Sequence, residues 1–189
     1  MIALALVAAL ALAGCGDAQD NTSSTGGSTD SSFNDADVTF AQSMIPHHQQ
    51  AVVMAKMAGS HASSPEVKQL ADKIEAAQGP EIATMTGWLN TWGKDVPSGN
   101  GMGGMDHNMG GDGMPGMMGQ SEMNELDTAA GTGFDRMFLT MMIEHHTGAI
   151  DMAKTEQADG QNLDAVALAK KIEADQTAEI AVMKDLLKS

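Results

Sequence analysis

This chain is one helical unit written twice, and the duplication limits its folds more than any other feature. At an offset of 98 (His145 against His47), Phe40-Ala41-Gln42-Ser43-Met44-Ile45-Pro46-His47-His48 aligns with Phe138-Leu139-Thr140-Met141-Met142-Ile143-Glu144-His145-His146. Without a gap, the same offset sets Ala51, Met54, Ala55 and Lys56 on Ala149, Met152, Ala153 and Lys154. Lys73-Ile74-Glu75-Ala76 then falls on Lys171-Ile172-Glu173-Ala174, and Gln78, Glu81, Met85 and Leu89 fall on Gln176, Glu179, Met183 and Leu187. About 22 of the 53 positions from Asp37 to Leu89 are identical to their counterparts.

Each copy reads as a helical hairpin. Ser64-Pro65-Glu66 is an N-cap followed by proline at the first helical position, and Asn162 stands at the equivalent place in the second copy. Apolar residues recur near the helical period after both: Val67, Leu70, Ile74, Ile82, Met85 and Leu89, then Val166, Leu168, Ile172, Ile180, Met183, Leu186 and Leu187. Strand signals are nearly absent. The expectation is an all-α four-helix bundle of two repeated hairpins joined by a long Gly/Met-rich crossover. Repeat one spans 37–93, the Met-rich loop 97–119 and repeat two 122–188, within a domain of 35–189. Pro46 and Pro80 predict kinks in the first hairpin, whereas Glu144 and Ala178 in the second predict straighter helices.

Residues 1–14 are uncharged and apolar, too short for a membrane span of roughly 20 residues but suited to the apolar part of an export signal. The basic start usual in a signal is absent from this stretch. The run ends in Leu12-Ala13-Gly14-Cys15, which resembles a bacterial lipobox, so Cys15 is the expected lipidation point and membrane anchor. Residues 15–34 are mostly Ser, Thr, Gly, Asp and Asn and read as a disordered tether. Cys15 is the only cysteine, which excludes an intrachain disulfide and any multi-thiolate metal site. A net charge of −15 makes nucleic acid an unsuitable partner and draws cations toward the surface.

The chemistry rests on histidine and methionine. On a helix of about 100° per residue, Met44, His47, Ala51 and Met54 share one face, with His48 on its edge. Met142, His145, Ala149 and Met152 repeat that face beside His146, and Met137 and Met141 extend the stripe. Thioether favours Cu(I), and imidazole binds either copper oxidation state. No single helix completes such a site, so ligands must converge from neighbouring helices. A methionine stripe at this spacing also serves as ordinary core. Adjacent buried histidines, repeated, are costly without a ligand.

Between Gly99 and Gly119 lie nine glycines together with Met102, Met105, His107, Met109, Met114, Met117 and Met118. With no periodicity, the segment offers methionine no core and reads as a flexible copper-wrapping loop. Glu75, Gln78 and Glu81, with Glu173, Gln176 and Glu179, are read first as a solvated helix face; the alternative is a role in orienting the histidines. His61 reads as a surface loop residue.

The segments Met44 to Ala51 and Met142 to Ala149 resemble the domain-of-unknown-function family numbered 305, a ferritin-like four-helix family that includes CopM-like copper-binding proteins of the bacterial envelope. The resemblance covers nearly all of Asp37 to Lys188. It implies copper binding and tolerance by periplasmic or surface sequestration, while the thioether and imidazole donors favour Cu(I) and allow Cu(II). Carried over by position, it points to His47, His48, Met44 and Met54 and to His145, His146, Met142 and Met152. Glu144 in place of Pro46 predicts unequal halves. The expectation is a non-enzyme, with a copper-transfer partner protein as one alternative role and a ferritin-like metal-dependent oxidase as another. A di-iron site wants Glu-x-x-His, yet Met44, Ile45, Met142 and Ile143 stand where those glutamates would be. A methionine surface that binds proteins is a third reading.

Overall fold

The computed structural model describes residues 32–98 and 114–188. The signal segment, Cys15, most of the tether and Met102, Met105, His107 and Met109 lie outside the described residues. The described residues form five helices: α1 (Asp35–His61), α2 (Pro65–Thr91), α3 (Gln120–Thr128), α4 (Gly131–Asp159) and α5 (Leu163–Leu186). Among the described residues there is no strand, only an isolated bridge between Ala62 and Gly131. None of these helices is long and apolar enough to cross a membrane.

The helix starts follow from local chemistry. Ser64 Oγ accepts from the Val67 amide and Asn162 from the Ala165 amide, as their positions predict. Asn34 caps α1 in a capping box with Asp37. Asn34 and Phe33 therefore belong to the fold, not the tether, and Phe33 stacks on Trp92 with ring centroids 4.7 Å apart. Neither Pro46 nor Pro80 ends its helix. The short α3, unanticipated in the crossover, is closed at its start by the Glu122 carboxylate accepting from the Gly119 amide at 2.8 Å.

α1 packs on α2 and α4 on α5, and the hairpins join through α1 and α4, with α3 against both. Two apolar clusters fill the bundle. One contains Met54, Ile74, Phe134, Phe138 and Met142; the other contains Phe40, Met44, Met85, Leu89 and Ile172. Because α1 and α4 run antiparallel, the first half of each meets the second half of the other. The paired histidines fall between the clusters, in a polar layer at the middle of the bundle.

A reciprocal pair of aspartates ties the hairpins together. Asp37 of α1 accepts from the Gln161 amide at 3.1 Å and the Asn162 amide at 2.9 Å, capping α5 in the other repeat. Asp135 of α4 accepts from the Ser63 amide at 3.0 Å, the Ser64 amide at 3.1 Å and the Ser63 hydroxyl, capping α2. Every residue of one clamp maps onto the other at the repeat offset.

Beside Asp37 the symmetry is broken: Glu156 stands where repeat one has Ala58, and it is 1% exposed. Burial, then the hydrogen bond and charge of Asp37 and the charge of Asp159, push its pKa up to about 8. Burial alone would raise Asp37 too, but hydrogen bonds from Asn34, Glu156, Asn162 and Gln161 hold it below its usual value. At neutral pH the Glu156 carboxyl therefore keeps its proton. In the unfolded chain Glu156 ionises near 4.5, so the native state binds the extra proton between that value and about 8. The associated stability is complete below the lower value and is lost as pH rises through the upper one. Relative to Glu156→Gln, the natural protein should lose roughly 2–3 kcal/mol between pH 5 and 9, after allowance for solvent screening. Urea unfolding across that range checks it, and parallel pH profiles would refute it.

Candidate metal centre

Adjacent residues on a helix point about 100° apart, so each His-His pair serves two neighbours. His47 and His145 meet at the α1–α4 seam with ring centroids 3.7 Å apart and planes tilted by 39°. His48 turns to α2, where its Nε2 lies 2.9 Å from Glu81 Oε2; His146 turns to α5, its Nε2 2.7 Å from Glu179 Oε2. All four imidazoles are 0% exposed. The Nδ1 atoms of His47, His48, His145 and His146, and Nε2 of His145, have no hydrogen-bond partner.

Burial holds His47, His48 and His145 neutral. It depresses His47 to about 3, aided by the neighbouring His48 charge and resisted by the Pro115 carbonyl. His145 lies well below the usual value from burial and from His47 and His146. His48 is also lowered by burial, against the opposing pull of Glu81. A neutral imidazole has a lone pair to give. The two carboxylates differ in surroundings. Glu81 also accepts from Lys171 Nζ at 2.9 Å, which crosses over from repeat two, whereas Glu179 borders an open groove with Lys73, Glu66 and Val182.

The last residues of the Met-rich segment form a strap over the seam. The Pro115 carbonyl oxygen lies 3.1 Å from His47 Nε2. Gln50 clamps the Met118 backbone with two hydrogen bonds of 2.8 Å, one to each peptide group. At the equivalent place in repeat two stands Gly148, where a Cβ would lie 1.9 Å from the Pro115 oxygen. Gly116 adopts φ +77 against the Glu144 and His145 carbonyls. One repeat position thus supplies the clamp in one copy and the clearance in the other. Gly148→Ala should improve intrinsic helix propensity by about 1 kcal/mol yet expel the strap. Hydrogen exchange at the Met118 amide should then accelerate at least tenfold without loss of helix content; unchanged protection would refute this.

Among the described residues, no three His, Cys, Asp or Glu side chains are placed to hold one ion as they stand. An ion at this seam needs thioether sulfur or a shift of the rings.

Residues 37–187 match the family described as a domain of unknown function, DUF305. The chain belongs to the DUF305 family. A DUF305 protein from Streptomyces coelicolor, assigned as secreted, is 36% identical over 81% of this chain and 92% of its own, with a TM-score of 0.71. A DUF305 fragment from Deinococcus radiodurans is 28% identical over 82% and 97%, also with a TM-score of 0.71. CopM in its Cu(II)-bound form is 36% identical over 80% and 95%, with a TM-score of 0.68, and Cu(I)- and silver-bound forms of CopM also match. Comparison with curated proteins gives no match.

In this DUF305 chain the structure brings His47, His48, His145 and His146 together. The methionines are distributed differently. Met44 and Met152 pack in or against the cluster on one side of the histidine layer; Met54, Met137, Met141 and Met142 pack in or against the other. Met118 is not a free loop ligand: it is 5% exposed and joins the core, because Gln50 draws its backbone inward. Met114 and Met117 are half-buried. The solvated-face reading fails for Gln78, Glu81 and Gln176, which are buried, while Glu179 is half-buried. The lysines nearby on each helix are what suggested solvent. His61 is not a loop residue either; it ends α1, its Nδ1 lies 2.9 Å from the Ala129 carbonyl oxygen, and it faces Phe134. Sequence reasoning missed Gln50 and Gly148, whose only signal was a departure from the repeat beside the histidines.

Proposed function

We propose that this DUF305 protein sequesters copper outside the cytoplasm, holding the ion with histidine and methionine and performing no catalysis. The observation that carries the reading is the set of four buried imidazoles on α1 and α4 with five unpartnered ring nitrogens. Uncompensated buried polar atoms are costly, and an ion repays that cost. The copper- and silver-bound forms of CopM support the choice of metal, and silver is a soft analogue of Cu(I). Cu(I) is the favoured form, with Met44, Met54, Met142 or Met152 completing the coordination, and Cu(II) is accepted by the imidazoles. Met102, Met105, His107 and Met109 add a second, loop-borne class of ligand. Cys15 carries the lipid that keeps the protein at the envelope membrane, and the secreted assignment of the Streptomyces relative agrees with export.

The test is a competition titration of the purified protein with Cu(I) against a chromophoric chelator. The protein should take at least one ion from the chelator, and removal of residues 99–113 should lower the number bound without abolishing uptake. Full retention of the metal by the chelator would refute the proposal.

A further inference from the structure

Resting on the copper reading, we infer that the Pro115 carbonyl, Glu81 and Glu179 hold His47, His48 and His146 as Nε2–H tautomers, so that Nδ1 is the atom each ring has to offer a metal ion. A ring nitrogen bonded to a group that only accepts must carry the hydrogen. The Pro115 carbonyl is such a group, 3.1 Å from His47 Nε2. Glu81 is another: it receives the Lys171 ammonium on Oε1, so it is a carboxylate, and its Oε2 is left to accept from His48 Nε2. Glu179, half-buried beside an open groove, faces His146 Nε2 at 2.7 Å.

With hydrogen on Nε2, a neutral imidazole keeps its lone pair on Nδ1. Those three Nδ1 atoms are among the five buried ring nitrogens that lack a hydrogen-bond partner. Three supports of different origin, one from the strap, one from α2 and one from α5, thus select the same atom. The strap belongs to neither repeat, so duplication alone does not explain the agreement. His145 differs: both of its nitrogens are unpartnered, so it is the ring free to present either. Glu81 and Glu179 are positioning residues here. A carboxylate behind a ligating imidazole fixes ring orientation and raises its basicity, and its loss typically weakens metal binding 10–100-fold.

The decisive experiment uses the full protein labelled with 15N at histidine. Long-range proton–nitrogen spectra of the metal-free protein should show His47, His48 and His146 as Nε2–H tautomers. On addition of Ag(I), each of those rings that takes the ion should show silver–nitrogen scalar coupling at Nδ1. Coupling at Nε2, or Nδ1–H tautomers without metal, overturns the assignment while leaving copper binding intact. Absence of any silver effect on the four histidines overturns the copper reading and the assignment with it. In the Glu81→Gln/Glu179→Gln variant, Ag(I) affinity should fall about 10–100-fold with mixed tautomers at His48 and His146. Unchanged affinity and tautomers would refute the positioning role.

Discussion

Replacing His47 and His145 together with alanine should lower Cu(I) affinity by on the order of 100-fold or more, each tenfold step corresponding to about 1.4 kcal/mol. The two rings meet at the seam where the hairpins join, tilted by 39°, and neither makes a hydrogen bond through Nδ1. Their removal takes away the donors at the α1–α4 seam and leaves His48 and His146 each tied to a different helix. The fold should survive. Each deletion opens a cavity, which costs stability, but it also removes unpartnered buried nitrogens, which returns part of that cost. His61→Ala is the control. It removes a histidine that bonds the Ala129 carbonyl beside Phe134, so copper affinity should stay within twofold of the natural protein. The measurement is chelator competition on all three proteins. Full affinity in the double variant would move the binding to His48, His146 and the methionines.

The second large effect is on stability. Asp37→Ala and Asp135→Ala should each cost about 2–4 kcal/mol, because each carboxylate is a helix cap and accepts several charge-assisted hydrogen bonds. Asp135 accepts from the amides of Ser63 and Ser64 and from the Ser63 hydroxyl, and Asp37 from the amides of Asn34, Gln161 and Asn162. Alanine leaves those donors short of partners at the turns where the hairpins interlock. A domain of this size has roughly 5–15 kcal/mol in total, so the double variant should stand close to unfolding at 37 °C. Urea midpoints for the two single variants and the double one measure the cost. A loss under about 0.5 kcal/mol in each single variant would mean that water satisfies these amides equally well.

The legibility of the fold followed the range of the interactions. Caps at Ser64 and Asn162 were readable because the donor amide is three residues from the acceptor. Burial of the histidine pairs was readable because helical periodicity sets them on or beside the apolar stripe of α1 and α4. The aspartate clamps were not: their partners are backbone amides in the other repeat, 72 and 124 residues away, and a backbone amide leaves no mark in a sequence. Only the identity of Asp37 with Asp135 in the duplication hinted at them. Glu81 and Glu179 were misread for a related reason. Each lies at the edge of its helix face near lysine, and only the arrival of His48 or His146 from a neighbouring helix draws it inward.

By itself, then, the sequence determined two like hairpins, their all-α character, the paired histidines within them and the donor chemistry of imidazole and thioether, since period, capping and duplication are local or internal properties. Tertiary structure decided how the copies interlock through Asp37 and Asp135, which ring nitrogens are left without partners, and where the strap lies. Those features depend on atoms far apart in the chain. At one repeat position, Gln50 grips Met118 while Gly148 makes room for Pro115, and only the packed bundle sets the two on either side of the same strap.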